Sequence, residues 1–222
     1  MKRLPERCLP YRLPSWLLVC CLLAGAPLPL RADPGPVELL QTVTDQVLEI
    51  VRQDPDILGD QARLRSIADE LILPHIDFET LSRWVLGKHW RRATPEQRKR
   101  FIALFREMLL NSYLRSVTGY RDNTVQFLPE RPGQKAGRAL VDAEVTQPNG
   151  PPIRAEFRLH RVGSQWLIYD VAVEGISLVA THRSSFSREI SNTGIDGLLS
   201  RLEKMNGDAA GQEGDAVVMS EK

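Results

Sequence analysis

Two carboxylates, Asp170 and Glu174, stand four residues apart in the stretch WLIYDVAVEGISLVATHRSSF, residues 166–186. On a strand that spacing puts both on one face, roughly 13 Å apart. The gap is wide for the paired acids of a glycosidase, and the apolar face of this strand is the opposite one. A salt-bridge or strand-end role is the expectation, with Asp170 beside Tyr169 kept open as an acid–base pair. The four histidines, His75, His89, His160 and His182, are scattered, and none has a metal-ligand spacing. His160 alternates with charged residues and is expected at the surface. His182 falls on the apolar side of a helix, where a partly buried, satisfied histidine is the ordinary outcome. There is no G-x-S-x-G, no Walker glycine loop and no G-x-G-x-x-G.

The cations are more concentrated. Lys88, Arg91, Arg92, Arg98, Lys99 and Arg100 gather around Trp84 and Trp90. They form either a solvated helix–turn–helix edge or a basic patch for an acidic partner or anionic lipid headgroups. Arg91, Arg92 and Arg98 are the expected partner contacts.

What positions these groups follows from the whole chain. Its 222 residues, 42% hydrophobic and 26% charged, suit one folded domain plus processing segments. A domain of this size buries enough surface to need no disulfide staple. The net charge of +1 hides a partition: residues 1–32 carry +4 and residues 33–222 carry −3. The latter is no nucleic-acid binder on bulk charge. Lys2, Arg3, Arg7 and Arg12 precede an uncharged run from Ser15 to Ala26, too short to span a bilayer and suited to a signal peptide. Cleavage is expected after Ala26 or Ala32. Cys8, Cys20 and Cys21 all lie in this segment, so residues 33–222 have no thiol for a disulfide, a nucleophile or a metal.

Apolar spacing predicts helices over Val37–Val51, Asp60–Leu73 and Asp77–Leu86. Thr94-Pro95-Glu96-Gln97 is a capping box that opens a fourth, with Phe101, Phe105, Leu109, Tyr113 and Val117 on its stripe and Gly119 as its stop. From Asn123 the period changes to two. Four strands are expected, around Val125–Phe127, Val141–Val145, Ile153–Leu159 and Leu167–Val173, joined by short turns into an antiparallel meander. Helix returns over Leu178–Ile190, breaks at Gly194 and ends with Ile195–Leu202. Residues 206–222 read as a disordered acidic tail. The class is α+β, with helices on one face of a twisted four-stranded antiparallel sheet. The inward sheet residues are small and the facing helical residues, Trp84, Phe101, Phe105 and Tyr113, are large. That combination makes either an interdigitated core or a tunnel.

Two long motifs carry a resemblance. Phe78, Leu81, Val85, Leu86, Gly87, Trp90 and residues 93–98 form one; Trp166, Tyr169, Asp170, Val171 and residues 174–179 form the other, with Gly194, Ile195, Asp196, Gly197, Leu198 and Leu202 closing the chain. The sequence resembles the MlaC family of periplasmic phospholipid-binding proteins, also called the toluene-tolerance Ttg2 family, over about residues 37–205. The resemblance implies an NTF2-like or cystatin-like fold over residues 33–205 that encloses an apolar lipid tunnel. It implies a monomeric carrier rather than an enzyme, without cofactor or metal, with phospholipid as cargo. Partners would be the MCE-domain subunit of an inner-membrane ABC transporter and an outer-membrane lipoprotein/porin complex.

On this basis the expected tail cavity comprises Phe78, Leu81, Trp84, Val85, Phe101, Phe105, Leu109, Val141, Ala143, Val145, Ala155, Phe157, Val171, Val173, Ile176, Val179 and Phe186. The expected headgroup mouth is Tyr113, Tyr169, Ser177, Arg83 and Lys88. Gly175, through a positive φ or a close backbone approach, would turn the last strand into the helix that lids the space. An interaction module with a full core, or an NTF2-like enzyme, remains the alternative.

Overall fold

A computed structural model describes residues 34–114, 124–147 and 150–220, with side chains described as far as residue 209. The expected signal peptide, Val117 and Gly119 lie outside the described residues.

Helix α1 spans Pro36–Gln53, opened by proline in its first turn and ended at Asp54-Pro55. A 3₁₀ turn, Pro55–Gly59, leads to α2, Gln61–Ile67, whose N-terminus is capped by the Asp60 carboxylate accepting from the Arg63 N–H at 3.0 Å. The chain then winds through a π turn, Ala68–Ile72, and a 3₁₀ turn, Leu73–His75. Asp77 caps α3, Phe78–Leu86, and Gly87 stops it with φ 54°. The Thr94 capping box forms reciprocally at the start of α4, Pro95–Leu114: the Gln97 N–H donates to Thr94 Oγ1 at 3.2 Å, and the Thr94 N–H donates to Gln97 Oε1 at 3.0 Å.

Among the described residues the sheet has six strands rather than the expected four. These are β1 Thr124–Phe127, β2 Arg131–Pro132, β3 Arg138–Thr146, β4 Ile153–Val162, β5 Gln165–Val173 and β6 Ile176–Ser177. The order is β1-β3-β4-β5-β6, with β2 also on β3 and every pair antiparallel. The two additional strands are two residues long, too short for alternation to signal. A bulge between Arg158 and Leu159 shifts the β4–β5 register, so Leu159 faces Ile168 while Phe157 faces Val171. Leu167 and Tyr169, expected on the apolar face with Val171 and Val173, are displaced from it, and Ile168 and Trp166 take that face instead.

Helix α5 runs from Leu178 to Ser220 with a kink at Gly194, where φ is 74° and ψ 177°. The segment from Asn206, expected to be a disordered tail, continues as helix. Propagating a helix that is already packed costs far less than nucleating one, and Asn206 Nδ2 donates to the Leu104 carbonyl at 3.0 Å.

Two main cores result. Leu81 and Val85 of α3, Phe101, Phe105 and Leu109 of α4, and Val179, Phe186, Leu198 and Leu202 of α5 form a helical core. Phe101 and Phe105 stack at 5.3 Å, and Phe186 meets both edge-on. Leu39 and Leu40 of α1 cover Val141, Leu159 and Ile168 on the apolar sheet face. The helices are not confined to that face. Asp77 and Trp84 of the α3 region reach His160 and Arg138, which alternation places on the opposite side.

Candidate functional site

The register lays out the apolar face in cross-strand rows. Val141, Phe157 and Val171 form the row beneath α1. The next row runs Phe127, Ala143, Ala155, Val173, Ile176 across all five strands of the sheet path. Beyond it stand Val125, Val145 and Ile153. Neighbouring strands lie about 4.8 Å apart, so two adjacent alanines between larger residues leave a trough in the sheet surface. The Phe127 and Phe157 rings lean together across β3 at 6.0 Å, with Ala143 only 1% exposed between their strands. At the other end Val173 is 47% exposed and Ile176 69% exposed. Isolated exposed apolar residues are unremarkable; two paired on one face, continuous with a half-buried apolar row, form an uncovered patch.

The patch ends at a tight hairpin. Val173 pairs with Ile176, and the two residues between them, Glu174 and Gly175, have φ 48° and 77°. Positive φ at both central positions is the type I′ pattern, whose twist matches that of the flanking strands. The expected positive φ at Gly175 is therefore present, and it produces a reversal rather than a simple bend. The Glu174 carboxylate also accepts from the Arg154 N–H, and the Glu174 N–H donates to the Arg154 carbonyl at 2.8 Å, which ties the hairpin to β4.

Asp170 fastens this corner. It is 2% exposed and accepts from Ser177 Oγ–H at 2.7 Å, from the Val179 N–H at 3.1 Å and from Arg158 at 3.1 Å. Ser177 in turn accepts from the Ala180 N–H at 3.1 Å as the cap of α5. The carboxylate thus stabilises the positive end of a helix dipole and binds strand, hairpin and helix to one point. Its oxygens are all engaged internally, which fits the structural expectation and removes the geometry an acid–base pair with Tyr169 would need.

The seventeen expected tail-cavity residues separate into groups. Leu81, Val85, Phe101, Phe105, Leu109, Val179 and Phe186 are packed within the helical core, with Phe78 and Trp84 against it. Val141, Phe157 and Val171 lie in the core under α1. Ala143, Val145, Ala155, Val173 and Ile176 line the trough itself, with Ala143 at its buried floor and Val173 and Ile176 at its uncovered end. Phe127, Val125 and Ile153 belong with them. Their strict alternation with polar residues was a usable signal, yet they are missing from the expected site.

The expected mouth does not assemble. Tyr169 is buried, 5.4 Å from the Trp84 ring and beneath the Arg138 guanidinium. Ser177 is committed to Asp170 and α5. Arg83 pairs with Glu79 at 2.6 Å and lies over Trp90, whose ring also carries Arg98 from the first turn of α4. Tyr113 is 52% exposed at the other end of α4, roughly 22 Å along the axis from Arg98. Lys88 is exposed on the connection between α3 and α4.

His160 is not the surface residue its alternation suggests. It bonds Asp77 at 2.9 Å and meets the Tyr169 ring edge-on, because α3 docks on that side of the sheet. His182 is half-buried against Phe105 and Phe186, and burial lowers its pKa. The polar sheet face holds an open groove of about 520 Å³, lined by Asp142, Glu144, Arg154, Glu156 and Arg158 among others. Its charges are mutually paired: Arg131 with Asp142 and Glu156, Arg158 with Glu156 and Asp170. Among the described residues no group of three His, Cys, Asp or Glu is placed to hold a metal, and no helix is long and apolar enough to cross a membrane.

Known proteins are similar to this chain. The solved structure of a phospholipid-binding protein from Ralstonia solanacearum, in complex with a phospholipid, superposes with a TM-score of 0.70 at 28% identity, covering 78% of this chain and 97% of that one. The intermembrane phospholipid transport system binding protein MlaC of Haemophilus influenzae is 24% identical over 200 residues, covering 87% of this chain and 94% of that protein. The toluene tolerance protein ttg2D of Pseudomonas putida is 26% identical over 183 residues, covering 79% and 82%. The family model described as MlaC protein matches residues 41–204. With both motifs, the capping box and the Asp170 corner inside that span, the chain belongs to the MlaC family.

Proposed function

We propose that this protein is an exported, periplasmic phospholipid carrier, whose acyl tails lie along the alanine trough of the sheet. The apolar cross-strand row from Phe127 to Ile176, buried at Ala143 and uncovered at Val173 and Ile176, is the observation that carries this reading. It is an apolar surface on a sheet whose other face is charged, in a family with a solved phospholipid complex. The tails would rest against Ala143 and Ala155, with Val145, Val173 and Ile176 as walls, in an NTF2-like tunnel closed from above by helices. Tyr113 is the retained candidate for the headgroup side.

The energetics define what such a carrier does. Two acyl chains contain about 30 methylenes, worth roughly 25 kcal/mol against water. In a bilayer that energy is already realised, so the exchange is near thermoneutral and limited by its barrier. Contacts with partners at each membrane lower that barrier. The carrier would therefore act between an outer-membrane lipoprotein/porin complex and the MCE-domain subunit of an inner-membrane ABC transporter, helping to maintain outer-membrane lipid asymmetry. The chain itself performs no bond chemistry in this reading.

Native mass spectrometry of the protein, purified from periplasm without detergent, tests the proposal. Stoichiometric phospholipid, released by organic extraction, is expected. A bare polypeptide mass that persists after incubation with vesicles and partners would refute it and leave an interaction module.

A further inference from the structure

Residues 83–100 contain seven cations, Arg83, Lys88, Arg91, Arg92, Arg98, Lys99 and Arg100, and a single acid, Glu96. The stretch carries +6 in a chain whose residues 33–222 sum to −3, so the rest of that span carries −9. Arg83 pairs with Glu79, Arg100 pairs with Glu203, and Arg98 lies on the Trp90 ring while donating to the Trp90 carbonyl. Lys88, Arg91, Arg92 and Lys99 are exposed. Among the described residues no ion pair ties any of these four to an acid. Their charges also act on one another's surroundings: buried His89 has its pKa lowered first by burial and then by the nearby Lys88 and Arg92. Gly87, with φ 54°, turns the chain sharply at the end of α3 and projects this connection as a corner.

The corner is held rigidly. Arg183 of α5 donates to the Trp84 carbonyl at 2.6 Å, close beneath Gly87, and His89 bonds Ser187 at 3.2 Å. Trp90 is buried and Trp84 is turned inward under Arg138. The corner therefore presents charge without aromatic anchors. Hot spots of stable protein interfaces combine arginine with aromatic side chains that fill pockets on the partner, and this corner offers the cations alone. An anionic bilayer demands only a concentrated positive field, at about 1 kcal/mol for each Lys or Arg brought to its surface.

We propose that the α3–α4 corner, through Lys88, Arg91, Arg92 and Lys99, docks the protein on the surface of an anionic bilayer. The excess negative charge of the remaining domain repels the same surface, so the corner sets orientation as well as affinity. This docking adds a membrane-facing surface to the carrier reading, on which its purpose rests.

Vesicle flotation tests it, using phosphatidylcholine alone against phosphatidylcholine with about 30 mol% phosphatidylglycerol. Wild-type protein is expected to float with the anionic vesicles at low salt and to be released as salt shortens the Debye length from about 10 Å toward 3 Å. The triple variant K88Q/R91Q/R92Q is expected to lose roughly a hundredfold in partition coefficient, whereas R154Q, on the polar sheet face, retains it. Equal binding to neutral vesicles, an unaffected triple variant, or no flotation at low salt overturns the proposal; the last outcome points to an acidic protein instead. Native mass spectrometry of the same variant separates the two readings. Retained phospholipid with lost flotation supports both, and flotation by a protein that never carries lipid leaves docking intact while refuting the carrier.

Discussion

Replacing Asp170 with alanine should be the most damaging single polar substitution in the described chain. The side chain is 2% exposed and serves three donors: Ser177 Oγ, the Val179 N–H and Arg158. Hydrogen bonds to a charged acceptor are worth about 1.5–3 kcal/mol each, and breaking a buried ion pair costs about 3–5 kcal/mol. Arg158 is partly exposed and keeps Glu156 at 2.9 Å, so its loss is softened. The Val179 N–H, by contrast, is buried and has no other acceptor among the described residues. A total near 4 kcal/mol follows, or about 10 °C in melting temperature for a domain of this size. Asp170→Asn keeps the shape and one acceptor oxygen and should cost about half as much. Urea unfolding of both variants supplies the measurement. A double-mutant cycle with Ser177→Ala should show coupling above about 1 kcal/mol. An Asp170→Ala loss under 1 kcal/mol, or an Asp170→Asn variant of unchanged stability that abolishes a catalytic turnover, would refute the fastening role.

Ala155→Phe should fill the trough and remove bound phospholipid in native mass spectrometry with a stability change under about 3 kcal/mol; full retention would place the tails elsewhere. Thr94→Ala should cost about 1 kcal/mol through loss of the reciprocal cap, read by urea unfolding. Burial holds the His182 pKa below its ordinary value, so the folded state resists a proton that the unfolded chain accepts. Stability should then be full above about pH 6.5 and fall as the pH drops through the lower folded value. His182→Leu should flatten that acid limb, and an unchanged slope would assign it to His75 or His89, which burial also lowers.

Much of the architecture was legible because one period dominated each stretch. The 3.6-residue stripe of α4, the reciprocal Thr94–Gln97 cap and the alternation of Ile153–Leu159 each have one reading. The β5 register was not legible. Trp166, Leu167, Ile168 and Tyr169 are apolar in succession, so alternation there cannot say which pair faces inward, and the bulge decided it. The expected tail cavity merged two cores for a related reason: periodicity tells that Phe105 and Val141 are buried, but not that they are buried against different neighbours. Asp77–His160, 83 residues apart, leaves no local trace at all. The motif residues were legible as a family signature while their work was not. Asp170 and Ser177 pin a corner, and Gln97 of one motif donates to Asp196 of the other at 2.9 Å.

That last bond spans 99 positions, and it links, at the surface, the two segments that build a helical core and that lie on either side of the entire sheet in the chain. Residues 78–109 supply one half and residues 179–202 the other. As the chain emerges during synthesis, the Phe101–Phe105 face appears long before Leu198, Leu199 and Leu202 arrive to cover it. The nascent chain must therefore keep that face from aggregating until nearly all of it has emerged. Folding is gated by the last elements to appear, and loop-closure entropy makes such a closing step slow. A holding chaperone that binds exposed aromatic helices would act in that interval, and a truncation before Leu198 would leave a chain with its sheet intact and its larger core unclosed.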